Sequence, residues 1–202
     1  MVNQILKPGV SCTFSQYFEL PFTIDDILAE LGCQIERRPI DLPRQPLQDS
    51  LDQLSQELRR NLKRIELVNE MARREALIGP ILFEVAERTD RRINVEYAIV
   101  VNEHLRGTVD YYIAGHNLIV VEAKQADLVR GFTQLAVELI ALDQWTKSEV
   151  PLLYGAVTTG EDWRFGCFDR QRRVIQQDDK RYLIPEKLAA LMEVLIGILK
   201  DS

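Results

Sequence analysis

The feature that most constrains this chain is a pair of strand-like segments joined by a short turn. Residues 107–113 and 118–124 are rich in β-branched and aromatic side chains, and the four residues between them include Gly115. A turn of this length and composition favours a β-hairpin. The second segment is apolar until its last residues, which predicts a central strand covered on both faces. We therefore expect the fold to be built around this hairpin.

Charged residues interrupt the predicted hairpin at three positions. Strand side chains alternate with period two, so Glu122 and Lys124 share one face of the second strand. Asp110 lies in the first strand at a similar distance from the turn, and so two carboxylates and one ammonium are expected to converge. Burying charged groups is costly unless they are paired or bind a ligand.

This cluster has two chemical interpretations. A hard divalent cation relieves the repulsion between neighbouring carboxylates by taking their oxygens as ligands. A lysine beside it can stabilise charge that develops on a phosphate, or help to generate hydroxide. In the other interpretation, Lys124 forms a buried ion pair with Asp110 or Glu122 and has only a structural role. The acid on the neighbouring strand and the segment that follows favour the first interpretation.

The segment after Lys124 predicts a helix. Apolar residues recur at helical spacing from Leu128 to Leu142, and Gln134 lies among them. A strand that ends in Glu-Ala-Lys is thus followed directly by a helix that carries a glutamine.

This arrangement resembles the PD-(D/E)XK nuclease superfamily. The pattern of Asp110 followed by residues 122–124 matches its metal-binding and catalytic motif, and Gln134 matches the glutamine that several branches carry on the next helix. The resemblance covers roughly residues 80–159. Val109 stands where the name of the superfamily has a proline.

The resemblance implies a divalent-metal-dependent nuclease with a restriction-endonuclease-like fold. Asp110 and Glu122 would bind Mg²⁺ or Mn²⁺, with help from the carbonyl of Ala123. Lys124 would help to activate water or stabilise the pentavalent phosphate. Gln134 would orient a water molecule, the lysine or the substrate.

A third acidic ligand has two candidates. In the superfamily, the helix before the first strand often supplies this ligand, which points to Glu84 in the helix predicted after Pro80. Glu96, in the strand predicted over residues 93–101, is the rival position. A shift of register by one residue would change the face that Glu96 occupies.

Composition predicts a globular chain of ordinary size. Of the 202 residues, 46% are hydrophobic and 28% are charged. No apolar run approaches the ~20 residues that span a bilayer, and the first residues do not have the pattern of a secretory signal. Three widely spaced cysteines fit neither a disulfide framework nor a zinc site. We therefore expect a cytoplasmic protein that does not enter a membrane.

The net charge of −6 argues mildly against a nucleic-acid partner, because surfaces that bind nucleic acid are usually basic. The arginines and lysines are clustered, however, and an acidic average can hide a basic face. The expected partner is nucleic acid, with DNA preferred. The alternative function is a non-catalytic nuclease-fold protein that acts as an interaction or nucleic-acid-binding module. An enzyme that acts on another phosphate ester is a third possibility, for which the sequence offers no positive sign.

The N-terminal part predicts one long helix over residues 48–78. A stripe of apolar residues recurs every three or four positions from Leu51 to Ala72, and Gly79 and Pro80 are expected to end the helix. The stripe could pack on its own domain, or it could form a coiled-coil contact in a homodimer.

The expected fold class is α/β, with a restriction-endonuclease-like mixed sheet flanked by helices and an added N-terminal long helix. Residues 1–79 are interpreted as an N-terminal helical arm that packs on a nuclease-like core of residues 80–202. The two parts together are expected to form one compact domain.

Overall fold

The fold alternates helices and strands along the whole chain. The computed structural model describes residues 5–113, 119–123, 127–146 and 148–200. In chain order the elements are α1 (Phe14–Glu19), α2 (Ile24–Glu30), β1 (Gln34–Arg37), α3 (Asp52–Arg64), α4 (Glu70–Arg73), a π-helix (Arg74–Ile78), α5 (Gly79–Thr89), β2 (Ile93–Val100), β3 (Arg106–Ile113), β4 (Ile119–Ala123), α6 (Leu128–Trp145), β5 (Leu152–Thr158), β6 (Asp162–Asp169), β7 (Val174–Gln177), β8 (Tyr182–Leu183) and α7 (Leu188–Leu199).

The strands form one mixed sheet. Their order is β1-β7-β6-β5-β4-β3-β2, and β8 pairs with β6. The predicted hairpin strands are confirmed, since β3 and β4 pair antiparallel. The β4–β5 and β1–β7 pairs are parallel. Parallel neighbours need a crossover connection, and α6 makes the one between β4 and β5. The carboxyl ends of β4 and β5 therefore meet at the same edge of the sheet.

Helices cover both faces of this sheet. One apolar cluster lies between the sheet and α1, α2 and α6, and the other lies between the sheet and α3, the π-helix, α5 and α7. Helix α6 approaches the strands closely, because a Cβ atom added at Gly166 would lie 2.6 Å from a ring carbon of Phe132. The fold is thus α/β, with a mixed sheet flanked by helices.

The single helix predicted over residues 48–78 is instead two helices separated by a turn. Helix α3 ends at Arg64, Ile65 is extended, and Asn69 begins the next helix by accepting a hydrogen bond from the backbone N–H of Ala72 at 2.8 Å. Asparagine is a preferred N-cap residue. Ile65 and Val68, which continue the apolar spacing between the two helices, are exposed rather than packed in the core.

The break predicted at Gly79 and Pro80 is also wrong, because helical backbone runs from Glu70 to Thr89. A π-helix occupies residues 74–78, and the N–H of Gly79 bonds to the carbonyl of Arg74, five residues earlier. Proline normally disrupts a helix interior. Pro80, however, lies at the start of α5, directly after the wide turn, where its missing N–H is tolerated.

Residues before position 80 contribute directly to the sheet and to its covering helices. Strand β1 pairs with β7, and α1 packs against α6. Helix α6 continues to Trp145, beyond the apolar spacing that ends at Leu142. No helix in the part of the chain described here is long and apolar enough to span a bilayer.

The apolar stripe of α3 gives a stability prediction. Leu58 is fully buried in the core of its own chain. This burial supports the interpretation in which the stripe packs on its own domain rather than on a second subunit. Leu58→Ala should lower the free energy of unfolding by roughly 2–5 kcal/mol, because it leaves a cavity. Ile65→Ala, at a residue 41% exposed, is the control and should change stability by about 0.5 kcal/mol or less. Urea unfolding measures both. A Leu58→Ala protein of normal stability that changes from dimer to monomer would instead place the stripe between subunits.

Candidate active site

The strand ladder brings the backbone of Asp110 and Glu122 together. Tyr111 pairs with Val121 and Tyr112 with Val120, and the paired register ends there, so Asp110 and Glu122 each lie one residue beyond the last pair. The side chain of Glu122 and the whole of Lys124 lie outside the described residues.

Asp110 is in contact with an arginine. Its Oδ1 lies 3.3 Å from a guanidinium nitrogen of Arg74, and the same nitrogen donates to Oε1 of Glu96 at 2.6 Å. The side chain of Asp110 is 14% exposed, whereas that of Glu96 is 56% exposed. One guanidinium thus joins a nearly buried carboxylate to a solvent-exposed one.

The regular strand geometry breaks down at these carboxylates. Val109 belongs to the apolar cluster beneath α6, yet Tyr111, two residues later, belongs to the cluster on the opposite face. Residues two apart in a strand normally share a face. Glu96 lies between the β2 residues that pair with these two, and its φ is +53°. A left-handed backbone is uncommon for a residue other than glycine, and such strained positions cluster at functional sites.

Arg74 is held from several sides. It is the first residue of the π-helix, its guanidinium lies 5.3 Å from the centre of the Tyr111 ring, and its side chain is 20% exposed. Burial acts to lower the pKa of Arg74, but the hydrogen bond to Glu96 and the charge of Asp110 outweigh burial and raise that pKa above its usual value. Arg74 is therefore a fixed positive charge at the candidate site.

Glu84 is not brought to this cluster. Its Oε1 accepts a hydrogen bond from Nε of Arg88 at 2.6 Å, and Arg88 also donates to the carbonyl of Ser50. Ten residues of helix separate Glu84 from Arg74, which is about 15 Å at the rise of an α-helix. Of the two candidates for a third acid, Glu96 is the one that shares a partner with Asp110.

Gln134 lies on the sheet-covering helix α6 and is almost completely buried. Its Nε2 donates to Oε1 of Glu138 at 3.0 Å, and Glu138 is fully buried. Oε1 of Gln134 accepts no hydrogen bond from the described residues. A buried acceptor left in this way costs about 1–3 kcal/mol, and such a group in a native structure points to a missing water, ion or catalytic role.

Sequence reasoning missed two residues of this region. Arg74 gave no signal, because the wide helical turn that begins at this residue has no clear sequence signature. Glu138 had a visible signal, since it is the one charged residue between Leu135 and Leu142. Charged side chains are almost never fully buried without a partner.

Further arginines lie at the edge where β4 and β5 end. Arg73 donates to the carbonyl of Thr159, directly after β5, and to Glu161. Arg164 stands in the same ladder row as Glu122, with Val157 between them. Each of these arginines has a carboxylate partner, and that of Arg164 is Asp162 at 3.4 Å. The acidic average charge therefore does not prevent a local group of arginines.

The donor atoms at this edge suit a hard cation. Within residues 5–113, 127–146 and 148–200, no three His, Cys, Asp or Glu side chains group together as a metal site. The two neighbours Asp110 and Glu122 would offer carboxylate oxygens, which Mg²⁺ and Mn²⁺ prefer. This donor set therefore fits the expected metals.

No protein-family model, no curated protein and no solved structure matches the chain.

The contacts of Asp110 predict how metal and stability are linked. Asp110→Asn should lower the free energy of unfolding by about 1 kcal/mol in chelator, because Arg74 loses a partly buried partner. Mn²⁺ at a hundred times its Kd should stabilise the wild type by roughly 2.7 kcal/mol, and the variant should lose most of this gain. Thermal melting with and without Mn²⁺ gives both quantities.

Glu84→Gln is the matched control for this experiment. It removes a carboxylate that pairs with Arg88 away from the cluster, so the response to Mn²⁺ should stay within about 0.5 kcal/mol of the wild-type response. Equal responses to Mn²⁺ in the wild type and in Asp110→Asn would exclude Asp110 as a metal ligand.

Proposed function

We propose that the protein is a divalent-metal-dependent nuclease that hydrolyses phosphodiester bonds in nucleic acid, with DNA as the preferred substrate. The observation that carries this proposal is the strand register, because Asp110 and Glu122 directly adjoin the paired residues Tyr111 and Val121 near the end of β4. Two residues after Glu122 the chain has Lys124, and α6 then carries Gln134. The spacing and the register together support the PD-(D/E)XK assignment.

The topology around the site supports a restriction-endonuclease-like arrangement. An antiparallel unit of β2, β3 and β4 is followed by the crossover helix α6 and by β5, which is parallel to β4. The crossover puts a helix on one face of the site, and the helix from Glu70 to Thr89 lies on the other face. The acidic residues then lie at an edge that substrate could approach.

Each residue of the proposed site has a distinct role. Asp110 and Glu122 bind Mg²⁺ or Mn²⁺, with help from the carbonyl of Ala123. A bound cation would polarise a phosphate oxygen and lower the pKa of a bound water. Lys124 stabilises the charge that develops on the phosphate.

Two further residues complete the proposal. Gln134, whose Oε1 has acceptor capacity left, orients the attacking water, Lys124 or the substrate. Glu84 pairs with Arg88 away from the site, whereas Glu96 shares Arg74 with Asp110, so Glu96 is the better candidate for a third ligand.

A second function is supported by a different observation. Arg74 already contacts Asp110, and a guanidinium in this position can satisfy the carboxylate without a metal. A chain that used this ion pair only for stability would be a non-catalytic nuclease-fold module that binds nucleic acid or protein. Metal-dependent activity that requires Asp110 distinguishes the two functions.

The activity prediction concerns Lys124. Purified protein should cleave single- or double-stranded DNA, or RNA, in Mg²⁺ or Mn²⁺ and not in chelator. Lys124→Ala should lower kcat about a hundredfold, in line with the loss of one positioned electrostatic group. Its Mn²⁺ affinity should change far less, because an ammonium is not a metal ligand. Single-turnover cleavage and Mn²⁺ titration measure the two effects separately.

Lys63→Ala is the control for general loss of positive charge, since Lys63 is an exposed residue in the last turn of α3. It should cleave at the wild-type rate. A wild type that cleaves none of these substrates in either metal would remove the catalytic proposal and favour the binding module.

A further inference from the structure

Arg74 has no role in the reaction proposed above, although it is a cation in direct contact with two acids of the candidate site. Its guanidinium contacts Asp110 and Glu96, and it lies over the Tyr111 ring. The π-turn and the left-handed Glu96 both lie at this contact. π-Turns within helices are frequent at functional sites, as are strained backbone positions.

We propose that Arg74 is the phosphate-binding residue of the candidate site, and that it competes with the divalent cation for the carboxylate of Asp110. The proposal rests on the nuclease function proposed above and deepens it by naming the residue that holds the substrate backbone.

The two carboxylate partners of Arg74 differ in how easily they can be exchanged. Glu96 is 56% exposed, and ion pairs at exposed positions contribute little to stability. A phosphate oxygen can therefore replace the Glu96 carboxylate at little cost. Asp110, which is 14% exposed, anchors the guanidinium near the strand end.

The geometry of the guanidinium suits a phosphate. Arginine presents its donors as a planar fork that binds two oxygens of one phosphate, and an aromatic ring beside that plane restricts its orientation. The adjacent Arg73 is fixed on the carbonyl of Thr159 at the end of β5, so the two arginines flank the strand edge at which Glu122 lies. A phosphate bound by Arg74 would therefore lie next to the proposed metal ligands.

The test measures nucleic-acid binding and metal binding separately from cleavage. A fluorescein-labelled DNA oligonucleotide is titrated by polarisation in chelator at several salt concentrations. Arg74→Gln should weaken binding about tenfold and reduce the slope of log K against log salt by about one, the effect of one lost phosphate contact. Glu96→Gln should strengthen binding, because it removes the competing carboxylate.

Metal affinity should change in the opposite direction to nucleic-acid affinity. Arg74→Gln should bind Mn²⁺ about tenfold more tightly in an electron paramagnetic resonance titration of free Mn²⁺, since a cation near the ligand disfavours a second one. Cleavage at saturating Mn²⁺ should nevertheless fall about a hundredfold. Arg74→Lys keeps the charge without the fork, and its Mn²⁺ affinity should stay near that of the wild type.

Arg73→Gln is the matched control, because it removes the neighbouring arginine, whose contacts are Thr159 and Glu161. Its Mn²⁺ affinity should equal that of the wild type.

If Arg74→Gln leaves the salt slope unchanged, or binds Mn²⁺ more weakly, the inference about Arg74 is overturned, even if the wild type is an active nuclease. If the wild type cleaves nothing but Arg74→Gln still lowers the salt slope and tightens Mn²⁺ binding, the nuclease proposal fails and the role of Arg74 stands. Should Arg74→Gln not fold, Glu96→Gln and Arg74→Lys decide the question, and unchanged oligonucleotide binding in Glu96→Gln would overturn the inference.

Discussion

The candidate site depends on one constraint, the pairing of β4 with an antiparallel neighbour on one side and a parallel neighbour on the other. The antiparallel ladder of β3 and β4 ends at Tyr111 and Val121, the residues next to Asp110 and Glu122. The parallel pair requires a crossover, and that crossover is α6, which carries Gln134 and Glu138 onto the face of the sheet. Because α6 lies so close to Gly166, its buried polar side chains have little freedom to move away from the strands.

Local irregularities concentrate where this pairing ends. The left-handed Glu96, the change of face between Val109 and Tyr111, and the π-turn that begins at Arg74 all lie around one carboxylate, Asp110. Strained backbone costs free energy, and it persists only where the surrounding structure holds it in place. Real sequences depart from regular local rules chiefly at functional sites, which is the interpretation that the contacts of Arg74 support.

The parts of this site that could be predicted were those set by local periodicity. Both hairpin strands and the helix that carries Gln134 follow from apolar alternation and helical spacing. The division of residues 48–78 into two helices was not predictable from the stripe, because Ile65 and Val68 continue the helical spacing although both are exposed and lie between the helices. Asn69 was the available signal for the second start, since asparagine favours the N-cap.

Positions set by contacts distant in sequence could not be predicted. Glu84 and Glu96 are both acids near strand β2, and the choice between them depends on the direction of Arg74, which a five-residue π-turn determines. Strand β7 is short and lies in a charged segment, so its pairing with β1, more than 130 positions earlier in the chain, leaves no local pattern. Long-range pairing of this kind overrides local propensity.

The acidic net charge and a polyanionic substrate are compatible when the charges near the site are considered individually. Each of three arginines is balanced locally by a carboxylate partner, so the group is compatible with an acidic net charge. They are Arg73, Arg74 and Arg164. A carboxylate and a phosphate offer the same kind of oxygen to a guanidinium, so an exposed partner such as Glu96 can be exchanged for substrate. Paired arginines are therefore held in place before substrate arrives, and the loss of side-chain entropy on binding is reduced. On this view the carboxylates around the strand edge serve two purposes, since some hold the cation and others hold the arginines until phosphate replaces them.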